Sequence, residues 1–136
     1  MSETVRTRVA IVEDDVALAL HLRRIIEDSS EFALAWIAHS LRDARLQMQR
    51  PADLVLLDLG LPDGRGIALV PQLRALPKPP RIIAFTVFSD EANVVDAVEA
   101  GIDAYVLKDV SRDDLLDALA QTRDGASPIS PAVARY

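Results

Sequence analysis

Leu54-Val55-Leu56-Leu57 is apolar at every position. A strand with one wet face alternates polar and apolar residues. An unbroken run this short therefore marks a strand covered on both sides, the usual state in a parallel sheet. Such a strand obliges the chain to supply helices for both faces.

The rest of the sequence does so. Val9-Ala10-Ile11-Val12 is a first apolar run, followed from Asp15 to Ser29 by Leu18, Leu22, Ile25 and Ile26 at helical spacing. Phe32 to Ala38 reads as a second strand and Leu41 to Gln49 as a second helix. A third helix is expected from Ile67 to Leu76, ended by Pro77, Pro79 and Pro80, since proline removes a donor and clashes within a helix. Arg81 to Thr86 is the fourth strand, Asp90 to Ala100 the fourth helix, and Gly101 suits the left-handed residue after it. Ala104 to Leu107 is the fifth strand, and Ser111 caps a last helix running to Arg123. Five β-α units in succession predict an α/β, doubly wound, five-stranded parallel sheet in the flavodoxin-like order 2-1-3-4-5, with a site at the carboxyl ends of strands 1 and 3. Residues 1–123 are expected to form this domain. Residues 124–136, punctuated by Gly125, Pro128 and Pro131, read as a linker or tail.

The strand ends are not apolar. Strand 1 runs into Glu13-Asp14-Asp15, strand 3 into Asp58, strand 4 ends at Thr86 and strand 5 runs into Lys108. A carboxylate after a strand often only caps the next helix, and we assign Asp15 that role. A parallel sheet, however, brings all these ends to one edge, where open α/β sheets bind their ligands. Crowded carboxylates repel, which raises their pKa values or demands a cation. Oxygen ligands without histidine or cysteine suit magnesium, which can bridge to phosphate oxygens. An ammonium and a hydroxyl nearby supply the stabilisation that phosphoryl transfer requires. A carboxylate facing the metal would then be the nucleophile.

Ile11-Val12-Glu13-Asp14-Asp15, Leu56 through Gly66, Phe85-Thr86 and Ala104-Tyr105-Val106-Leu107-Lys108, in this order on these strands, resemble the CheY-like receiver domain of two-component response regulators from about Val9 to Arg123. The resemblance implies that Asp58 accepts a phosphoryl group from a sensor histidine kinase. It makes Asp14 a direct magnesium ligand, Glu13 an acidic partner acting through water, and the Gly60 carbonyl a further ligand. Thr86 would hydrogen-bond the phosphoryl group, Lys108 would neutralise it, and Tyr105 falls at an aromatic rotamer switch. The signal would emerge on the face of the fourth helix, fifth strand and fifth helix. Homodimerisation there, or along the first and fifth helices, stays open.

Lys108-Asp109 resembles the NarL-type subfamily, whose output is a LuxR-like helix-turn-helix domain, and Pro131 to Arg135 resembles the start of its connector. Many receivers carry proline where Asp109 stands, so the cis peptide frequent there is not assured. DNA would be reached only through an output domain not present in this chain, in keeping with the net charge of −6. A stand-alone or phosphorylation-independent receiver, acting as a protein-interaction module, is the alternative. Val87 and Phe88, bulky beside Thr86, lead us to expect slow loss of the phosphoryl group.

Other readings fare worse. A haloacid-dehalogenase phosphatase needs a second aspartate two residues after the nucleophile, where Gly60 stands, so turnover catalysis is not expected. A dinucleotide site needs Gly-x-Gly-x-x-Gly after strand 1, where the chain is acidic and lacks glycine. The absence of cysteine excludes disulfides and thiolate metal sites. With no apolar run near 20 residues and a polar segment from Met1 to Arg8, a cytoplasmic location without membrane contact is expected. His21, His39, Trp36, Arg23, Arg24 and Lys78 are given no functional role.

Overall fold

The computed structural model describes residues 5–130 and 133–134. Met1 to Thr4, and Pro131, Ala132 and Arg135 of the connector-like stretch, lie outside the described residues. One parallel sheet is built from β1 (Thr7–Val12), β2 (Phe32–Ala38), β3 (Leu54–Leu57), β4 (Arg81–Thr86) and β5 (Ala104–Leu107), in the order β2-β1-β3-β4-β5. The helices are α1 (Val16–Asp28), α2 (Leu41–Gln47), α3 (Val70–Arg74), α4 (Glu91–Ala100) and α5 (Arg112–Arg123). The doubly wound order expected from the sequence is the one observed.

The unbroken apolar strands are covered on both sides. Val9, Ile11, Leu54 and Leu56 meet Leu22, Ile25 and Ile26 of α1 and Leu115 and Leu119 of α5. Ala10, Val12, Val55 and Leu57 face the opposite way, onto Leu41 and Ala44 of α2 and Val70 and Leu73 of α3. Each buried leucine or isoleucine in these layers contributes about 1.5–3 kcal/mol relative to exposure. The two central strands thus register side chains against four helices at once, and a one-residue slip would exchange the layers.

The third helix differs from expectation. Gly66–Leu69 form a 3₁₀ turn and only Val70–Arg74 are α-helical. Pro71 lies in the first turn of α3 and has no N–H to return to Ile67, so a continuous α-helix from Ile67 would lack that bond. Gly60–Leu61 and Gly64–Arg65 pair as a small antiparallel hairpin that the sequence did not announce. The hairpin closes where the Gly66 N–H donates to the Leu59 carbonyl at 2.9 Å. A Cβ on Gly66 would stand 1.9 Å from the Asp58 carbonyl oxygen, so only glycine lets the loop return this close to the strand end.

The C-terminal stretch also departs from a bare linker. After α5, residues 128–130 run alongside the outer edge of β5, with Tyr105 and Ile129 in parallel register. Val133 is buried in a third cluster with Leu59, Ala84, Val94, Ala97 and Tyr105.

Candidate functional site

Parallel pairing levels the strand ends. Val12 is in register with Leu57, and Leu57 with Ala84. The Asp58 N–H donates to the Val12 carbonyl at 3.0 Å, so the chain leaves β3 with Asp58 beside the end of β1. Glu13 and Asp58 are buried, at 1% and 5% exposure, while Asp14 is exposed. One carboxylate oxygen from each of Glu13, Asp14 and Asp58 lies within 4.8 Å of the others. Asp15 is turned to another task, its carboxylate accepting from the Leu18 N–H at 3.1 Å as the cap of α1. Three adjacent acids therefore divide into two that face Asp58 and one that starts a helix.

Lys108 enters from the far side of the sheet. The Lys108 N–H donates to the Thr86 carbonyl at 2.9 Å, carrying the side chain past the end of β5. Its Nζ lies 2.6 Å from Glu13 Oε1 and 3.0 Å from Asp58 Oδ2. The Asp58 contact is a hydrogen bond. Glu13 Oε1 is buried and takes no well-directed hydrogen bond, so the closer Lys108 contact acts there as charge against charge. The other Glu13 oxygen accepts from the Asp15 N–H at 3.1 Å, and Asp58 Oδ1 accepts from the Gly60 N–H at 3.0 Å.

Burial pushes the Glu13 carboxyl up to about 7; Lys108 and the Asp15 N–H pull against this, and the Asp58 charge adds to it. Burial likewise works against the Lys108 ammonium, but Glu13 and Asp58 outweigh it and raise its pKa. Two buried carboxylates thus share one ammonium. The set consists of hard oxygen donors, with one buried oxygen short of a hydrogen bond and an exposed acid at the mouth. It fits a divalent cation such as magnesium.

On the other flank the groups are neutral. Thr86 is fully buried, and its Oγ1 accepts from the Phe88 N–H at 3.2 Å while making no hydrogen bond to Asp58. Tyr105 is also fully buried, turned inward, and its hydroxyl donates to the Phe88 carbonyl at 2.6 Å. Burial, then the Asp90 charge, pushes that phenol up to about 12. The Phe88 ring lies over Gly60, 3.3 Å from where a Cβ there would stand. The peptide bond after Lys108 is trans, as are all those described.

Two anchors escaped the sequence reading. Asp63 accepts from the Leu41 and Arg42 N–H groups at 2.8 and 2.9 Å, tying the hairpin to the start of α2. Those two bonds hold its carboxyl below the usual range. Arg65 pairs with Asp96 of α4 at 2.9 Å. The clue was Pro62-Asp63-Gly64, a turn whose acid is free to cap a neighbouring helix. His39, given no role, has Nδ1 2.8 Å from the Glu13 carbonyl and so touches the site's backbone. Trp36, also given no role, is buried in the core, with Nε1 donating to the Arg50 carbonyl at 3.2 Å. A cavity of about 370 Å³ beside Trp36 and Pro51 is lined by none of Glu13, Asp14, Asp58, Thr86 or Lys108.

Residues 9–120 match the response regulator receiver domain. The chain is 30% identical over 134 residues to the nitrate/nitrite response regulator protein NarL of Escherichia coli (strain K12), covering 98% of this chain and 62% of that protein. It is 37% identical over 103 residues to the KDP operon transcriptional regulatory protein KdpE of the same organism, covering 75% and 44%. A solved two-component response regulator of the LuxR family from Aurantimonas sp. SI85-9A1 superposes with a TM-score of 0.87 at 30% identity, covering 96% of this chain and 94% of that one. The chain thus spans less than two thirds of the length of these curated relatives. Sheet order, levelled strand ends and matched residues agree: this chain belongs to the response regulator receiver domain family of two-component systems.

Proposed function

We propose that Asp58 is the phospho-acceptor, charged by a partner histidine kinase with magnesium bound by Glu13, Asp14, Asp58 and the Gly60 carbonyl. The observation that carries this reading is Lys108 Nζ resting between Glu13 and Asp58, at 2.6 and 3.0 Å. A half-buried ammonium held between two carboxylates is already placed to receive a third anionic oxygen. Bound magnesium would screen the incoming phosphoryl oxygens and offset the repulsion among the acids.

The chain's own groups do the rest. Asp58 Oδ attacks phosphorus as the bond to the donor's leaving group breaks, giving an acyl phosphate. Lys108 neutralises one phosphoryl oxygen. Thr86 Oγ1 accepts from Phe88, which leaves its hydroxyl proton to donate to another. Phe88, over Gly60, shields the group from water and prolongs its life. No second acid stands two residues after Asp58, so the site stores a phosphoryl group rather than turning over substrate.

Donation from Thr86 to the phosphoryl group would then tighten the Phe88–Tyr105 relay and so alter the face of α4, β5 and α5. Through that face, or along α1 and α5, the domain would engage a second copy. The similarity to NarL and LuxR-type regulators supports a cytoplasmic transcription regulator whose DNA-binding domain would follow the connector. No described helix is long and apolar enough to cross a membrane.

Incubation with acetyl phosphate and magnesium tests this. Intact mass should show one added phosphoryl group, absent without magnesium and in Asp58→Asn, and decaying slowly once the donor is removed. Labelling that survives Asp58→Asn would refute the assignment.

A further inference from the structure

The segment after α5 is bonded into the switch itself. The Tyr105 N–H donates to the Pro128 carbonyl at 3.0 Å and the Ser130 N–H to the Tyr105 carbonyl at 2.9 Å. The Leu107 N–H donates to Ser130 Oγ at 3.1 Å. These are the outward-facing amides of β5, whose other edge is paired with β4. Without the segment, β5 would be a bare edge strand with a row of unpaired groups. Val133 then closes over the Tyr105 cluster and is itself only 1% exposed, although Ile129 stays 42% exposed.

Tyr105 is therefore held from two sides. Its backbone is gripped by residues 128 and 130, and its hydroxyl grips the Phe88 carbonyl. Phe88 in turn holds Thr86 through its N–H. Leu59, next to Asp58, lies in the same cluster as Val133.

We infer that residues 128–130, together with Val133, form a strap whose docking on β5 and the phosphorylation of Asp58 strengthen each other. Docked, the strap keeps Tyr105 inward and so fixes the Phe88 backbone that presents Thr86. Undocked, Tyr105 loses two backbone bonds and the cover of Val133, and Thr86 is less well prepared to meet a phosphoryl oxygen. Coupling is reciprocal, so an acyl phosphate on Asp58 must tighten the strap by the same factor by which the strap favours it. Val133 would be the point at which the state of Asp58 reaches the C-terminal segment. This rests on Asp58 being the acceptor.

The test is titration of the full chain with beryllofluoride and magnesium, alongside Val133→Asp and a chain ending at Gly125, with amide exchange measured at Tyr105 and Leu107. In the full chain both amides should be protected, and more so with beryllofluoride. Both variants should lose that protection and bind beryllofluoride about fivefold or more weakly. The Gly125 chain buries no new charge and keeps the bond from the Gly125 N–H to the Thr122 carbonyl, so it controls for misfolding by Val133→Asp. Equal affinity in the full chain and the Gly125 chain, or unprotected amides in the full chain, overturns the strap. If the full chain itself ignores beryllofluoride, it is the acceptor assignment that fails first, and the coupling falls with it.

Discussion

The two flanks of the site are built from opposite materials. On the β1–β3 side, two buried carboxylates are held by backbone N–H groups and share the ammonium of Lys108, with one exposed acid close by. On the β4–β5 side, Thr86, Phe88 and Tyr105 form a neutral hydrogen-bond relay ending in an exposed turn, with Val87 69% exposed. The charged flank stores repulsion in fixed positions, whereas the neutral flank can rearrange at the cost of one or two hydrogen bonds. A charge arriving at Asp58 is thus met by rigid acids on one side and by movable donors on the other.

The largest effect should come from the charged flank. Glu13 titrates near 7 in the fold against 4.5 in the open chain. A raised folded pKa means that the native state binds the proton more tightly, so this contribution is full below about pH 4.5 and fades as pH rises through about 7. Without metal, the protein should lose up to about 3 kcal/mol of stability between pH 5 and 8. Urea unfolding in EDTA across that range measures it. The lowered carboxyls of Asp63, Asp90 and Asp124 act in the acid range and do not obscure the window. Glu13→Gln should flatten the slope; stability that rises with pH in the unaltered protein would break the contrast between the flanks.

A smaller effect is expected from Asp58. Its removal as a charge leaves Glu13 and Lys108 paired at 2.6 Å. Asp58→Asn should therefore stabilise the metal-free protein by about 1 kcal/mol and shrink the gain from magnesium. A lower melting temperature in EDTA would mean that Lys108 offsets both acids and that little repulsion is stored.

The neutral flank should respond least. Tyr105→Phe deletes the bond to the Phe88 carbonyl while keeping the buried ring, and should cost about 1 kcal/mol or less. Its change in melting temperature should also be the same at pH 5 and pH 8. A loss that grows with pH would show that the relay carries charge from the other flank.

The fold and the charged flank were legible in the sequence because both rest on short-range rules. Unbroken apolar runs mark strands buried on both faces, and the topology then places Glu13, Asp14, Asp58 and Lys108 on one edge. Asp15 as a cap followed from its place at the start of α1. What stayed hidden depended on long-range closure. Asp63 reaches α2 across 22 residues, and only the folded hairpin shows it. Pro71 shortens α3, although apolar spacing alone suggests a longer helix. The docking of residues 128–130 was masked by Gly, Ser and Pro, which read as linker whether or not a strand edge waits nearby.

The central claim is that Asp58 takes the phosphoryl group and that the neutral flank answers. Backbone NMR during titration with beryllofluoride and magnesium tests it most directly. Saturable shifts are expected at Thr86, Phe88, Tyr105 and Lys108, and they should vanish in Asp58→Asn. Shifts confined to Glu13, Asp14 and Asp58, or shifts that persist in Asp58→Asn, would contradict it.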